Sequence, residues 1–164
     1  MELRIDYTTV LRAFVEKDID FAVAGGFAVV AHGAVRVTMD LDLALALTTQ
    51  DLKKSWDTLK ALGFRCKLPL TAAQFSDPKK LTALAAEKNM KAVSFFHEKQ
   101  PFLVVDLLFT DEFRFTESNI ERMPLFGVDC PVLNIKTLIK LKTAAGRDKD
   151  LDDIRALKAL TKKI

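Results

Sequence analysis

Asp40 and Asp42 stand two residues apart in the stretch VRVTMDLDLALAL, residues 35–47. Apolar residues alternate over most of that stretch, which is the period of a strand, and a helix would turn the two carboxylates about 200° apart. Read as one strand over 35–47, the stretch puts Arg36, Thr38, Asp40 and Asp42 on one face and Leu41, Leu43, Leu45 and Leu47 on the other. Same-face neighbours on a strand are ~6.6 Å apart, a spacing at which two carboxylates can serve neighbouring divalent ions. Keeping both ionised on a half-buried strand costs free energy unless cations or hydrogen-bond donors compensate them. A divalent metal is one such compensation. Hard oxygen ligands with no Cys or His cluster beside them favour magnesium, with manganese as the substitute. Small Ala44 and Ala46 continue the acidic face and leave room above it.

A third acid, Asp106, interrupts the apolar run FLVVDLLF, residues 102–109, in what reads as an interior strand. Lying beside the Asp40 strand, it would complete the coordination of a metal or accept a proton from an attacking hydroxyl. The alternative is that Asp106 pairs with a basic residue such as Arg36, or ends its strand. Gly25 and Gly26 form a turn between an apolar strand, 21–24, and a helix, 27–32, where backbone N–H groups and the helix dipole can hold phosphate oxygens. Such a pair alone is more often just a turn; its weight comes from the Asp-x-Asp delivered on the next strand. His32, late on that helix and just before Gly33, reads as satisfying carbonyls or packing. Phe27, beside the glycines, is the one phenylalanine of twelve placed to touch a base, the rest being core material. No Ser-His-Asp or Cys-His arrangement can be argued from the spacing.

The elements that must position these residues follow from periodicity and caps. A helix over 7–17 carries Leu11, Phe14 and Val15; a second over 49–62 puts Leu52, Trp56, Leu59 and Leu62 on one face, with Thr48 or Thr49 as cap and Gly63 as stop. A short strand at 64–67 precedes a segment, 69–89, that is hard to place except for a helix over 78–88 capped by Asp77. Strands at 91–97 and 102–109, joined by the polar turn EKQP, form a hairpin, and a second hairpin falls within 123–133 around Gly127 and Asp129. Asn134 caps a helix through Ala145, and a last helix runs 148–162.

A chain of 164 residues, 49% hydrophobic and 29% charged, is sized for one globular domain, 1–164, with a sheet-and-helix body at 1–133 and a basic helical segment at 134–164. That segment holds nine Lys and Arg against four Asp, a balance of +5, so the body carries 3 − 5 = −2 of the formal net charge of +3. It is a solvated helical pair or an attraction for a polyanionic substrate. No apolar run reaches the roughly 18–20 residues of a membrane span, and the amino terminus, with Glu2 and Asp6, lacks a leader pattern, so a cytoplasmic location is expected. Cys66, in a strand, and Cys130, in a loop, have no framework spacing and read as reduced thiols.

The succession AGGFAVVAHGAVRVTMDLDLAL at 24–45, with VVDLLF at 104–109, resembles the polymerase-beta-like nucleotidyltransferase superfamily. It is closest to the small prokaryotic abortive-infection-type (type IV toxin-like) nucleotidyltransferases, which have a similar Gly-Gly, His-Gly, Arg-x-Thr-x-Asp-x-Asp order and a terminal segment like LIKLKTAAGRDKDLDDI at 138–154. The resemblance implies an α/β (α+β) nucleotidyltransferase fold, a mixed and mostly antiparallel sheet flanked by helices and followed by C-terminal helices. It also implies two magnesium ions on Asp40, Asp42 and Asp106, and a nucleoside triphosphate with its phosphates on Gly25 and Gly26. A nucleoside monophosphate would pass to an acceptor hydroxyl on a small molecule, a protein or RNA, and a toxin–antitoxin or defence setting is one implication. Arg36, Thr38, Lys142, Arg147 and Lys149 fall on positions that would meet the nucleotide. Asp148, in the first turn of its helix, reads as a cap, and Asp150 as the exception that also reaches the nucleotide. The sequence departs from the Gly-Ser of many members, having Phe27 after the glycine pair, so backbone donors must suffice. The rival reading keeps the fold without the chemistry, as a regulatory or partner-binding protein; an antitoxin or a second copy is the partner either reading would allow.

Overall fold

A computed structural model gives the structure over residues 4–109 and 116–162; Glu2 and Lys163, part of the charge reading above, lie outside them. The order is α1 (Tyr7–Glu16), β1 (Phe21–Ala24), α2 (Gly25–Ala31), β2 (Leu41–Leu45), α3 (Thr49–Ala61), β3 (Phe64–Cys66), α4 (Ala72–Phe75), α5 (Pro78–Lys88), β4 (Ala92–His97) and β5 (Val104–Leu108). After a 3-10 turn come β6 (Ile120–Leu125), β7 (Val128–Leu133), α6 (Ile135–Ala145) and α7 (Asp148–Thr161).

The strands form one seven-stranded sheet in the order β3-β4-β5-β2-β1-β7-β6. Two pairings, β2 with β5 and β1 with β7, are parallel, and the other four are antiparallel, so the sheet is mixed and mostly antiparallel as expected. Helix α1 packs on β7 and α3, α2 on β1, β2 and α6, and α6 on α7. Phe14, Phe21, Phe64, Phe75 and Phe95 are fully buried, and Trp56 meets Phe75 and Phe95 ring to ring. No helix among the described residues is long and apolar enough to cross a membrane.

Local signals set most boundaries. Asp77 accepts from the N–H groups of Lys79 and Lys80 at the start of α5, Thr48 from Asp51 at α3, and Asn134 from Thr137 at α6. Four readings need correction. The strand expected over 35–47 is only Leu41–Leu45, because β1 ends opposite Asp42 and the β5 ladder stops at Val105 opposite Leu41, so 35–40 run past both partners. Gly25 and Gly26 are the first residues of α2 rather than a turn before it. Cys130 lies in β7, not a loop. The segment 69–89 hides a further short helix, α4, closed by a Thr71–Gln74 capping box that the T-x-x-Q spacing could have revealed.

Candidate active site

Asp42 and Asp106 are Cα partners across the parallel β2/β5 ladder. Ala24 of β1 flanks Asp42 on one side and Ser94 of β4 flanks Asp106 on the other, so four strands contribute one row: Ala24, Asp42, Asp106, Ser94. Residues in register point the same way from a pleated sheet, which places both carboxylates on one face. The Ser94 hydroxyl donates a short hydrogen bond to Asp106 Oδ1. The pairing of Asp106 with Arg36 that the sequence left open does not form. Burial, then the charge of Asp106, a hydrogen bond with it and the charge of Asp40 push the Asp42 carboxyl up from its ordinary value to about 7, against the weaker pull of Lys142.

Asp40 sits at the bend before β2, exposed at the lip of the same cleft. Partial desolvation and then Asp106 raise its carboxyl, opposed by Lys67 and Lys149. Among the described residues no three Asp, Glu, His or Cys are gathered closely enough to chelate one ion; the assembled unit is the Asp42–Asp106 pair, with Asp40 beside it.

Gly25 has φ +59°, and a Cβ there would overlap the Asp42 carboxylate; at Gly26 a Cβ would stand 2.5 Å from the Thr38 hydroxyl oxygen. Only glycine lets the start of α2 press so closely on the acids. Ala24, at the N-cap, offers no side-chain hydrogen bond to the first N–H groups of this helix. Along 35–40 no ladder forms, yet the segment borders the cleft: Arg36, Thr38 and Asp40 line it together with Val37 and Met39, and Val35, Val37 and Met39 are largely exposed.

The basic wall opposite is largely self-neutralised. Lys142, buried in α6, has its Nζ 2.7 Å from Asp153 and 3.6 Å from Asp150; Arg36 also pairs with Asp153, and Arg147 Nε lies 2.7 Å from Asp150. Burial would raise the Asp150 carboxyl, but the hydrogen bond and charge of Arg147, with Lys142, outweigh it and hold it below its ordinary value. Asp150 is thus a clamp within the wall, and Asp148 stands in the exposed first turn of α7. Asp153 reads from the sequence only as one of the acids that favour the start of this helix, but its spacing from Asp150 puts both on one helix face, turned to Lys142. Lys149, a candidate from the sequence, and Lys91, which was not, line the cleft, and neither is in an ion pair among the described residues. Ser94 and Tyr7 (below) carried no sequence signal.

The cleft these groups enclose has a volume of about 710 Å³. Phe27 does not face it: the ring is buried, edge-on to Tyr7 and Phe126, so it is core rather than a base contact. His32 caps α2, with Nε2 2.8 Å from the Leu133 carbonyl, as one of its two readings required. His97 is buried at the far end of β4, where Nδ1 accepts from the Gln100 N–H. Cys66 and Cys130 are free thiols.

No family model matches the sequence, and no curated protein matches it. Solved structures do. The lincosamide antibiotic adenylyltransferase LnuA, with lincomycin bound, matches with a TM-score of 0.65 at 13% identity, over 94% of this chain and 95% of that one. ANT(2")-Ia in complex with adenylyl-2"-tobramycin matches at 0.61 and 13% identity, over 92% and 84%. An antigenic nucleotidyltransferase-like protein from Paracoccidioides brasiliensis matches at 0.56 and 15%, over 93% and 72%. What is shared at these identities is the architecture: the chain has the fold of these nucleotidyltransferases.

Proposed function

We propose that this chain is a metal-dependent nucleotidyltransferase, moving a nucleoside monophosphate from a nucleoside triphosphate to an acceptor hydroxyl with pyrophosphate leaving. The observation that carries the reading is the in-register pairing of Asp42 with Asp106, which no ion pair among the described residues reaches, in a cleft with a basic wall. Two hard oxygen donors crowded until one carboxyl titrates at about 7 fit a divalent cation, magnesium or manganese. Asp42 and Asp106 would hold it, and Asp40 at the lip is placed to join them or to hold a second ion. When bound, the cation neutralises charge on the transferring phosphoryl group and the oxygens around it.

The chain's own groups divide the remaining work. Ser94 fixes one oxygen of Asp106. Gly25 and Gly26 bring backbone close to the acids, where phosphate oxygens would lie. Lys149 and Lys91 are free to meet the polyphosphate, while Arg36, Thr38, Lys142, Arg147 and Asp150 shape the wall from within their own contacts. Helices α6 and α7 supply most of that wall, which fits a chain that works as one unit. Two of the similar structures are antibiotic adenylyltransferase complexes, which makes a small-molecule hydroxyl the first acceptor to try, ahead of a protein side chain or an RNA end. A toxin of the abortive-infection type would use the same transfer.

The test is a thermal shift with magnesium and each triphosphate, followed by label transfer from the triphosphate to a panel of acceptors. A small stabilisation is expected with metal alone and the largest when metal and nucleotide are both present, and both are lost in Asp42→Asn. The rival, a regulator without chemistry, draws on the neutralised cations Arg36, Lys142 and Arg147; it takes over if wild type and Asp42→Asn bind metal and nucleotide alike.

A further inference from the structure

The β2/β5 ladder ends at Leu41 and Val105. Just beyond, where a next rung would stand, the Tyr7 hydroxyl lies 2.6 Å from the Met39 carbonyl and 3.1 Å from both the N–H and the carbonyl of Val104. A phenol has one proton to give and lone pairs to receive with. Giving that proton to the nearer Met39 oxygen and accepting from Val104, it ties the residue before Asp40 to the strand that carries Asp106. The ring is steadied by an edge contact with Phe27, centroids 5.4 Å apart, and Phe27 follows the glycine pair. Tyr7, the first residue of α1 and the only tyrosine in the chain, thus touches three of the segments that build the site. The other side-chain anchor of 35–40 is Arg36 on Asp153, at the opposite end.

We propose that Tyr7 is a positioning residue for Asp40: its hydroxyl holds the Met39 peptide so that Asp40 stays at the lip of the cleft, next to the Asp42–Asp106 pair, where it adds to the hold on a divalent cation in the cleft. The inference rests on the metal-dependent reading above. Asp40 lies at an exposed bend outside any ladder, so without the bridge nothing on that side fixes the Met39 peptide against β5. Burial of the phenol, with the charges of Asp40, Asp106 and Asp42, outweighs the opposing Val104 backbone hydrogen bond and raises the phenol's pKa, so the hydroxyl keeps its donor proton.

The experiment measures Mn²⁺ affinity by calorimetry on the full chain in wild type, Tyr7→Phe, Asp40→Asn, their double variant and Asp42→Asn, with melting of each in the absence of metal. Tyr7→Phe keeps the ring contact and removes only the hydroxyl. It should melt close to wild type yet bind Mn²⁺ about tenfold more weakly, the scale of two lost hydrogen bonds. Added to Asp40→Asn, it should change affinity by less than about twofold, because the two act through one group. Wild-type affinity in Tyr7→Phe, with binding abolished in Asp42→Asn, would overturn this inference and leave the metal site standing. An equal loss in the Asp40→Asn background, or a Tyr7→Phe chain that no longer folds, would make the hydroxyl a general structural group and overturn it as well. A wild type with no Mn²⁺ affinity would sink both readings together.

Discussion

Acids occupy two sides of the cleft, and their surroundings differ. On the sheet, Asp42 and Asp106 stand against each other with a serine and an alanine beside them, and the Asp42 carboxyl is driven up to about 7. On the helical wall, Asp150 and Asp153 are more deeply buried, but each meets two cations, and Asp150 is held below its ordinary value. Folding alone calls for the second arrangement: buried charges are matched one against another. The first has no structural return, since like charges in register destabilise a sheet. Crowding left uncorrected, within reach of a matched network that shows correction was possible, is the contrast on which the proposed cation site rests.

The strongest attack on this contrast is Asp42→Asn, which should reduce nucleotidyl transfer at least about a hundredfold. The same variant also tests the crowding. The Asp42 carboxyl is raised from 3.8 to about 7, so between those values the folded chain holds a proton that the unfolded chain releases. The metal-free protein should therefore lose stability as pH rises through that window, and Asp42→Asn should flatten the loss in melts from acid to neutral pH. Asp153→Ala attacks the matched side: Arg36 loses its partner and Lys142 keeps only Asp150 at 3.6 Å, for a cost of about 3 kcal/mol in denaturant unfolding. Gly25→Ala forces a side chain into a left-handed position and onto Asp42; about 1–2 kcal/mol is expected from the backbone, with a larger proportional loss of Mn²⁺ affinity. The exposed Lys53–Asp57 pair serves as the reference, and Asp57→Asn should move stability by no more than about 0.5 kcal/mol.

How far these regions could be read beforehand depended on the range of the interactions that build them. Helix α5 was legible to its ends because Pro78 and the Asp77 cap act within three residues. Asp106 stood out because an acid inside FLVVDLLF breaks an apolar run. The extent of β2 was not legible: the alternation of residue types continues through 35–40, but hydrogen-bonded partners decide where a strand stops. Arg36 and Asp153 are separated by 117 positions, and nothing local in either announces the other. Ser94 was hidden for a related reason, since it takes its meaning only from the β4/β5 register. Lys142 was legible as a basic residue in the right segment, but its two acidic partners were not.

The parallel pairing of β2 with β5 has a bearing on how the protein comes into being. Parallel neighbours cannot be joined by a tight hairpin, and here the connection runs through α3, β3, α4, α5 and β4 before β5 can dock. Contacts so distant along the chain form late, because the closing of a long loop must come first. The two facing acids therefore do not meet until the centre of the sheet is complete, and a half-formed chain presents no chelating pair. A cation that binds only the finished state pulls the folding equilibrium toward it, and its affinity becomes a direct gauge of how much of a preparation has reached the native sheet.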